Sequence, residues 1–150
     1  MSVEVVNRQR KYPVDTELIR RCSEWILREE KRGKAKATVV LTNNRRIRQL
    51  NKKFRGENRA TDVLSFPWKE KNYLGDVIIS IEKIAENAKF YGQEFNDELL
   101  RVLIHGFLHL LGEVDEGEVQ RENMEKKQEN LLMLFKRRIG INWKKSQLSS

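Results

Sequence analysis

The chain has 150 residues and a formal net charge of +8, from 30 basic and 22 acidic side chains. This length predicts one compact domain with its own hydrophobic core. One cysteine excludes an internal disulfide, and no signal-peptide pattern or apolar run near the ~18 residues of a membrane span is present, so we expect a cytoplasmic protein without disulfide or membrane partners. Excess positive charge favours polyanionic partners, although abundant lysine and glutamate also occur in thermophilic proteins.

Four short segments predict strands, because apolar and β-branched residues alternate in them or lie between turn residues. These segments are Val3–Val6, Thr38–Leu41, Asp62–Phe66 and Gly75–Ser80. Pro67 follows the third segment, so this strand should end there or lie at a sheet edge, with a polar turn after the proline. Trp68 and Tyr73 lie in that predicted turn, where they are candidates for stacking on unpaired bases or for ordinary packing.

Five helices are predicted from cap residues at their ends and apolar residues on one side. The first follows Asp15 and ends at Gly33, and the second is basic and ends at Gly56. The other three run from Ser80 to about Tyr91, from Asn96 or Asp97 through both histidines, and from about Glu118 to Arg138 before Gly140. The second helix should bury Ile47, Leu50, Asn51 and Phe54. The last helix should bury Met124, Leu131, Leu134 and Phe135.

The chain contains only two histidines, His105 and His109, and they lie four residues apart in one apolar helical segment. This spacing places both imidazoles on one face of a helix, close enough to bind one metal ion. A pair of buried, hydrogen-bonded histidines would have the same spacing, so the pair alone leaves both interpretations open. Gly106 between them is unfavourable inside a helix and indicates that another part of the chain approaches closely.

The residues after the histidine helix supply a candidate third ligand. Gly112 has the residue type that ends helices, which lets the acidic segment Glu113–Glu118 fold back toward the histidines. Asp115 has the best spacing, although Glu113, Glu116 or Glu118 could replace it as the third ligand or support the site. Two histidines with one carboxylate leave an open position, as in catalytic zinc sites. By itself the acidic segment is equally typical of a solvated helix N-terminus.

Basic residues gather in two clusters, each of which could be a solvated helix face or a nucleic-acid surface. The clusters are Arg45, Arg46, Arg48, Lys52, Lys53, Arg55 and Arg59, and Lys136, Arg137, Arg138, Lys144 and Lys145. Together with a metal centre in the same small domain, they favour nucleic acid as the partner.

Three motifs follow one another along the chain: LNKKFRGENRATDVLSFP over Leu50–Pro67, LGDV over Leu74–Val77, and HGFLHLLG over His105–Gly112. In these motifs, in length and in the order of its elements, the chain resembles the YbeY family of bacterial metal-dependent endoribonucleases, also called rRNA maturation factors. The resemblance implies a single α+β domain over residues 1–143, followed by a polar, frayed tail at 144–150. It implies a small mixed four-stranded sheet packed with about five helices, and a metal site on a central buried helix.

The resemblance also implies one divalent ion, zinc in the family, held by three side chains. Family members cut single-stranded RNA in 16S rRNA 3′-end maturation and ribosome quality control, which implies an rRNA precursor and the small ribosomal subunit as partners. The family motif H-G-x-L-H-L-x-G-Y-D-H ends in a third histidine, whose position here holds Asp115, while Glu113 and Val114 replace the tyrosine and aspartate before it. A carboxylate can also bind zinc, so we expect His105, His109 and Asp115 to hold the ion.

The aspartate has two consequences for the expected site. Its negative charge makes the metal a weaker electrophile, so activity should be lower than with three histidines. Two histidines and a carboxylate also suit iron, nickel or manganese.

The resemblance marks Arg55 as the catalytic arginine. A guanidinium can bind a phosphate through two hydrogen bonds, although a cation at a helix C-terminus also interacts favourably with the helix dipole. Residues that could orient substrate or metal ligands, or could equally have turn and strand-end roles, are Asp62, Ser65, Asp76, Glu113 and Arg59.

We therefore expect a hydrolase, a metal-dependent endoribonuclease. The non-enzymatic alternative is a ribosome-associated RNA-binding factor with a structural metal. Zinc peptidases of the H-E-x-x-H type place a glutamate after the first histidine as general base. Gly106 occupies that position here, which disfavours peptide hydrolysis.

Overall fold

The computed structural model describes the backbone of residues 2–140 and their side chains, except the side chain of Lys69. Within these residues the chain folds into four strands and five helices, as predicted for a single α+β domain. Their order is β1 (Val3–Asn7), α1 (Thr16–Glu29), β2 (Lys36–Thr42), α2 (Asn44–Arg55), β3 (Val63–Glu70), β4 (Tyr73–Ser80), α3 (Ile81–Tyr91), α4 (Phe95–Leu110) and α5 (Glu118–Ile139). The predicted boundary at residue 143 and the predicted frayed tail lie outside the described residues.

The sheet is mixed, with the strand order β1-β2-β4-β3. Strands β1, β2 and β4 are parallel, and β3 runs antiparallel to β4 at the edge. Pro67 lies within β3, so its expected position at a sheet edge is confirmed. The turn predicted directly after Pro67 is wrong, because β3 continues to Glu70 and the chain reverses through Lys71 and Asn72, with Asn72 at φ 67°.

Two of the predicted helix caps are confirmed. Asp15 Oδ1 accepts a hydrogen bond from the backbone N–H of Leu18 at 3.0 Å, and Ser80 Oγ accepts one from that of Lys83 at 3.2 Å. Each satisfies a backbone donor that the first helical turn leaves unpaired.

Two other predicted helix boundaries are wrong. Helix α1 ends at Glu29 rather than Gly33, because Lys31 has a left-handed backbone with φ 60°. Helix α4 begins at Phe95, before the proposed caps Asn96 and Asp97, and Glu94 at its N-cap makes no side-chain cap hydrogen bond.

Two apolar residues predicted to be buried are exposed. Phe54 is 58% exposed and lies against Phe66 of the edge strand, with the ring centroids 5.3 Å apart. Leu134 is 41% exposed, whereas Leu132 of the same helix is buried. No helix within residues 2–140 has the length and apolar character needed to cross a membrane.

Helix α4 packs on one face of the sheet and α2 lies on the other. A Cβ added to Gly106 of α4 would meet side chains of β3 and β4, namely Val63 and Val77. Neighbouring strand residues point to opposite faces, so Phe66, which contacts Phe54 of α2, lies on the other face. The central helix is thus buried against the sheet, and the edge strand β3 separates it from α2.

Gly106 brings α4 unusually close to the sheet. A Cβ at this position would lie 2.7 Å from Val77 Cγ1 and 2.9 Å from Val63 Cγ2, distances that packed atoms do not tolerate. Ser65 Oγ donates a hydrogen bond to the carbonyl oxygen of Gly106 at 2.7 Å. The close approach expected from the glycine is confirmed, and it fixes the height of the histidines above the sheet.

The Gly106→Ala variant tests this close packing. Helix propensity alone would raise the free energy of unfolding by about 1 kcal/mol, but overpacking typically costs about 1–3 kcal/mol. We expect the clash with two buried valines to dominate, so that urea denaturation shows a net loss of stability. In a double-mutant cycle, Val77→Ala should reduce the cost of Gly106→Ala. An alanine variant as stable as the wild type would contradict the packing.

Candidate metal centre

The two histidines lie side by side on α4 and flank Gly106. Their Nε2 atoms are 3.1 Å apart, and both rings are partly buried. The ring centroids are 4.6 Å apart, so the imidazoles converge on one point instead of packing separately into the core. The i,i+4 spacing produces the shared face that the sequence predicted.

Asp115 reaches the histidines because the chain reverses directly after α4. Gly112 has φ 99°. Its N–H donates to the carbonyl oxygen of His109 at 3.0 Å, and the N–H of Glu113 donates to the carbonyl oxygen of Leu108 at 2.9 Å. This reversal brings Asp115 Oδ2 to 3.5 Å from His109 Nε2. One potential ligand atom from each of His105, His109 and Asp115, called here the His-His-Asp group, lies within 4.8 Å of the other two.

The His-His-Asp group has the donor atoms and spacing that suit a divalent transition metal. Ligand atoms about 2.0–2.2 Å from a tetrahedral ion are about 3.3–3.6 Å apart, close to the 3.1 Å between the two Nε2 atoms and the 3.5 Å between His109 Nε2 and Asp115 Oδ2. Burial lowers the pKa of His109, as does the neighbouring His105, and Asp115 opposes this only partly. His109 is therefore held as the neutral imidazole that metal binding requires.

Gln128 of α5 fixes the orientation of the first histidine. His105 Nδ1 is 2.7 Å from Gln128 Oε1, so the ring donates Nδ1–H and leaves Nε2 as the free acceptor facing His109. The amide of Gln128 donates to Glu129, whose carboxylate accepts two hydrogen bonds from Arg101 at 2.8 and 3.0 Å. Sequence reasoning missed Gln128, although it interrupts the apolar positions of α5 and is itself buried.

Glu113 anchors the loop that carries Asp115. Lys127 Nζ lies 2.9 Å from a carboxylate oxygen of Glu113 and 2.5 Å from one of Glu30 at the end of α1. The two carboxylates raise the pKa of Lys127 through their hydrogen bonds. Neighbouring residues of α5 therefore contact both parts of the site, since Gln128 contacts His105 and Lys127 contacts the loop.

Asp62 lies beside the histidines, and Ser65 supports the helix that carries them. Asp62, His105 and Gln128 line one cavity of about 230 Å³. Burial raises the pKa of Asp62, although His105 partly offsets this effect. Ser65 donates its hydroxyl hydrogen to the Gly106 carbonyl of α4, so the contact we observe for it is structural.

Asp76 is not brought to the histidine pair. Its carboxylate accepts hydrogen bonds from Trp68 Nε1 at 3.0 Å and from the Tyr73 hydroxyl at 2.5 Å. Because its neighbour Val77 faces α4, Asp76 points to the opposite face of the sheet. Trp68 and Tyr73 also pack against each other at 5.8 Å, and Trp68 is 50% exposed.

Arg55 lies at the exposed C-terminus of α2, and its positive charge contributes to lowering the pKa of His109. The sequence-predicted cation is thus electrostatically coupled to the histidine site, while its side chain remains open to solvent. Arg59 is also exposed and pairs with Glu57 at 2.9 Å.

Together the fold and the site define a small α+β protein with a candidate metal centre at the edge of a mixed sheet. The sequence model of the family described as Endoribonuclease YbeY matches residues 4–136. The chain belongs to the YbeY endoribonuclease family, as its motifs indicated.

Individual relatives cover most of the chain. An Endoribonuclease YbeY of Carboxydothermus hydrogenoformans is 41% identical over 82% of this chain and 92% of its own length. That of Brevibacillus brevis is 39% identical over 88% of this chain and 95% of its own. The solution structure of TM1509 from Thermotoga maritima superposes with a TM-score of 0.63 at 29% identity, covering 90% of this chain and 91% of that one.

Gln128 generates a prediction about metal binding. Loss of a hydrogen-bond partner of a ligating histidine typically lowers metal affinity about 10–100-fold. We expect Gln128→Leu to weaken Zn²⁺ binding by that amount in a chelator competition assay, because His105 loses the acceptor that orients it. Gln128→Glu keeps an acceptor and should restore most of the affinity. Equal affinity of Gln128→Leu and the wild type, with both folded, would exclude this role.

Proposed function

We propose that this protein is a metal-dependent endoribonuclease that cuts single-stranded RNA. The observation that carries the proposal is the convergence of the His-His-Asp group beside Arg55 in a chain of the YbeY family. We further propose that it acts in the cytoplasm on the 3′ end of 16S rRNA precursors, in contact with the small ribosomal subunit, as the family resemblance implies.

In this proposal His105, His109 and Asp115 hold one divalent ion, for which zinc is the first candidate. When bound, the ion supplies Lewis-acid stabilisation of the charge that develops on the scissile phosphate. Gln128 keeps His105 in the tautomer that presents Nε2, and burial keeps His109 neutral. Arg55 would bind a non-bridging phosphate oxygen and contribute to stabilising the same developing charge.

The exposure of the site favours catalysis over a structural metal. His109 and Asp115 keep 30% and 46% of their side-chain surface accessible. Structural zinc sites are closed by four protein ligands, whereas catalytic ones combine three with an open position. Within the described residues the candidate group contains three side chains, which fits the catalytic pattern.

Peptide hydrolysis is disfavoured by the packing of α4. The glutamate that H-E-x-x-H peptidases use would replace Gly106, where even a Cβ would collide with Val63 and Val77. The general base of such a peptidase therefore cannot be placed at this position in this fold.

Arg55→Glu separates catalysis from metal binding. We expect the variant to keep one metal ion per chain and to cleave a single-stranded RNA about 10²–10³ times more slowly, the usual cost of losing a donor that stabilises transition-state charge. Arg55→Lys should recover only part of the rate, because lysine lacks the two-pronged donor geometry. Wild-type protein that cleaves no RNA with any divalent metal would support the RNA-binding alternative instead.

Two kinds of substitution test Asp115 as the third ligand: removal of its side chain and replacement by histidine. Asp115→Ala and His109→Ala should each lose stoichiometric metal, measured by elemental analysis, together with RNA cleavage. Asp115→His should keep the metal and cleave at least as fast as the wild type, because a neutral ligand leaves the ion a stronger electrophile. Full metal content in Asp115→Ala would show that another group supplies the third ligand.

A further inference from the structure

Four cationic residues of α2 form a continuous line on its exposed side. Arg45, Arg48, Lys52 and Arg55, called here the α2 stripe, fall within about 80° of arc at 3.6 residues per turn and extend over about 15 Å of helix. All four side chains are exposed, and α2 contains no acidic residue that would neutralise them.

The α2 stripe borders a surface groove, called here the α2 groove. Arg45, Arg48 and Lys52 line a surface groove of about 680 Å³ together with Asn58 and Arg59 of the following loop. Arg48 Nε donates to Asn58 Oδ1 at 2.9 Å, and the buried Asn51 side chain donates to the carbonyl of Arg59 at 3.0 Å. These bonds hold the loop against α2, so both walls of the groove are fixed by internal contacts.

The groove runs toward the candidate metal centre. Arg55 ends the stripe at the C-terminus of α2, from which the loop containing Arg59 and Ala60 leads to β3. Ala60 lines the groove, and Asp62, two residues further on, lines the cavity that contains His105. Two residues span at most about 7 Å, so the groove is adjacent to the cavity beside His105, the first histidine of the candidate metal centre.

We propose that the α2 groove binds the sugar-phosphate backbone of the single-stranded RNA whose scissile phosphate lies at the metal centre. This inference rests on the proposed nuclease function and adds the path of the RNA strand. Among the described residues, Arg45 and Lys52 take part in no ion pair, which leaves their charges available to phosphates. The stripe is about 15 Å long, and a stacked strand carries one phosphate about every 3.4 Å, so the stripe can contact more than one phosphate.

The α2 groove predicts a specific dependence on RNA length and salt. Each phosphate contact on a single strand contributes about 0.7 to the slope of log affinity against log salt. Loss of two contacts should reduce that slope by about 1.4, which amounts to about 25-fold weaker binding at 0.1 M salt. Affinity should also increase when the RNA is long enough to extend from Arg55 to Arg45.

The test is fluorescence anisotropy of metal-loaded protein with labelled single-stranded RNAs of 3 and 12 nucleotides, checked by gel to be intact after the titration. Arg45→Glu combined with Lys52→Glu should show the weaker binding and lower slope with the longer RNA. The matched control is Arg32→Glu with Lys34→Glu, the same charge change at exposed positions in the turn before β2. The control should bind nearly as the wild type does.

Three outcomes would overturn the assignment of the groove. If the wild type cleaves RNA but both double variants bind it as the wild type does, the nuclease proposal stands and the groove assignment fails. If both variants weaken binding equally, overall charge rather than the groove is responsible. If the wild type neither binds nor cleaves RNA, both proposals fail, and an acidic protein surface becomes the partner to test.

Discussion

The close approach of α4 to the sheet is the constraint on which the site depends. Gly106 allows the helix backbone to come within contact of Val63 and Val77, and its carbonyl accepts the Ser65 hydroxyl. The histidines on either side of Gly106 are therefore held at one height beside the edge strand. Glycine disfavours helix formation, but at this position only a residue without a side chain lets the helix and the sheet meet.

Helix α5 supports this arrangement from the other side. Gln128 orients His105, and Lys127 holds the loop through Glu113, so two neighbouring residues contact one histidine and the loop that carries Asp115. The site thus joins two parts of different character, a rigid pair on the central helix and a carboxylate on a short loop. The loop is the part in which this chain differs from the family motif, and its aspartate remains half exposed.

The sequence allowed the local features of the site to be predicted, because they depend on spacing within one segment. The histidine pair and the reversal at Gly112 follow from residues close in the chain, as does the cap at Asp15 elsewhere in the fold. Gln128 was missed, since its contact with His105 joins two helices whose packing the sequence does not specify. Phe54 and Leu134 were assigned to the core by periodicity, but Phe54 is 58% exposed, and Leu134 is 41% exposed although the adjacent Phe135 is buried.

The central claim is that His105, His109 and Asp115 together hold one divalent ion. A crystal structure of the zinc-loaded protein, with an anomalous difference map at the zinc edge, tests it most directly. The account predicts one peak about 2.0–2.2 Å from both Nε2 atoms and from a carboxylate oxygen of Asp115. A peak bound elsewhere, or one that leaves Asp115 uncoordinated, would contradict it.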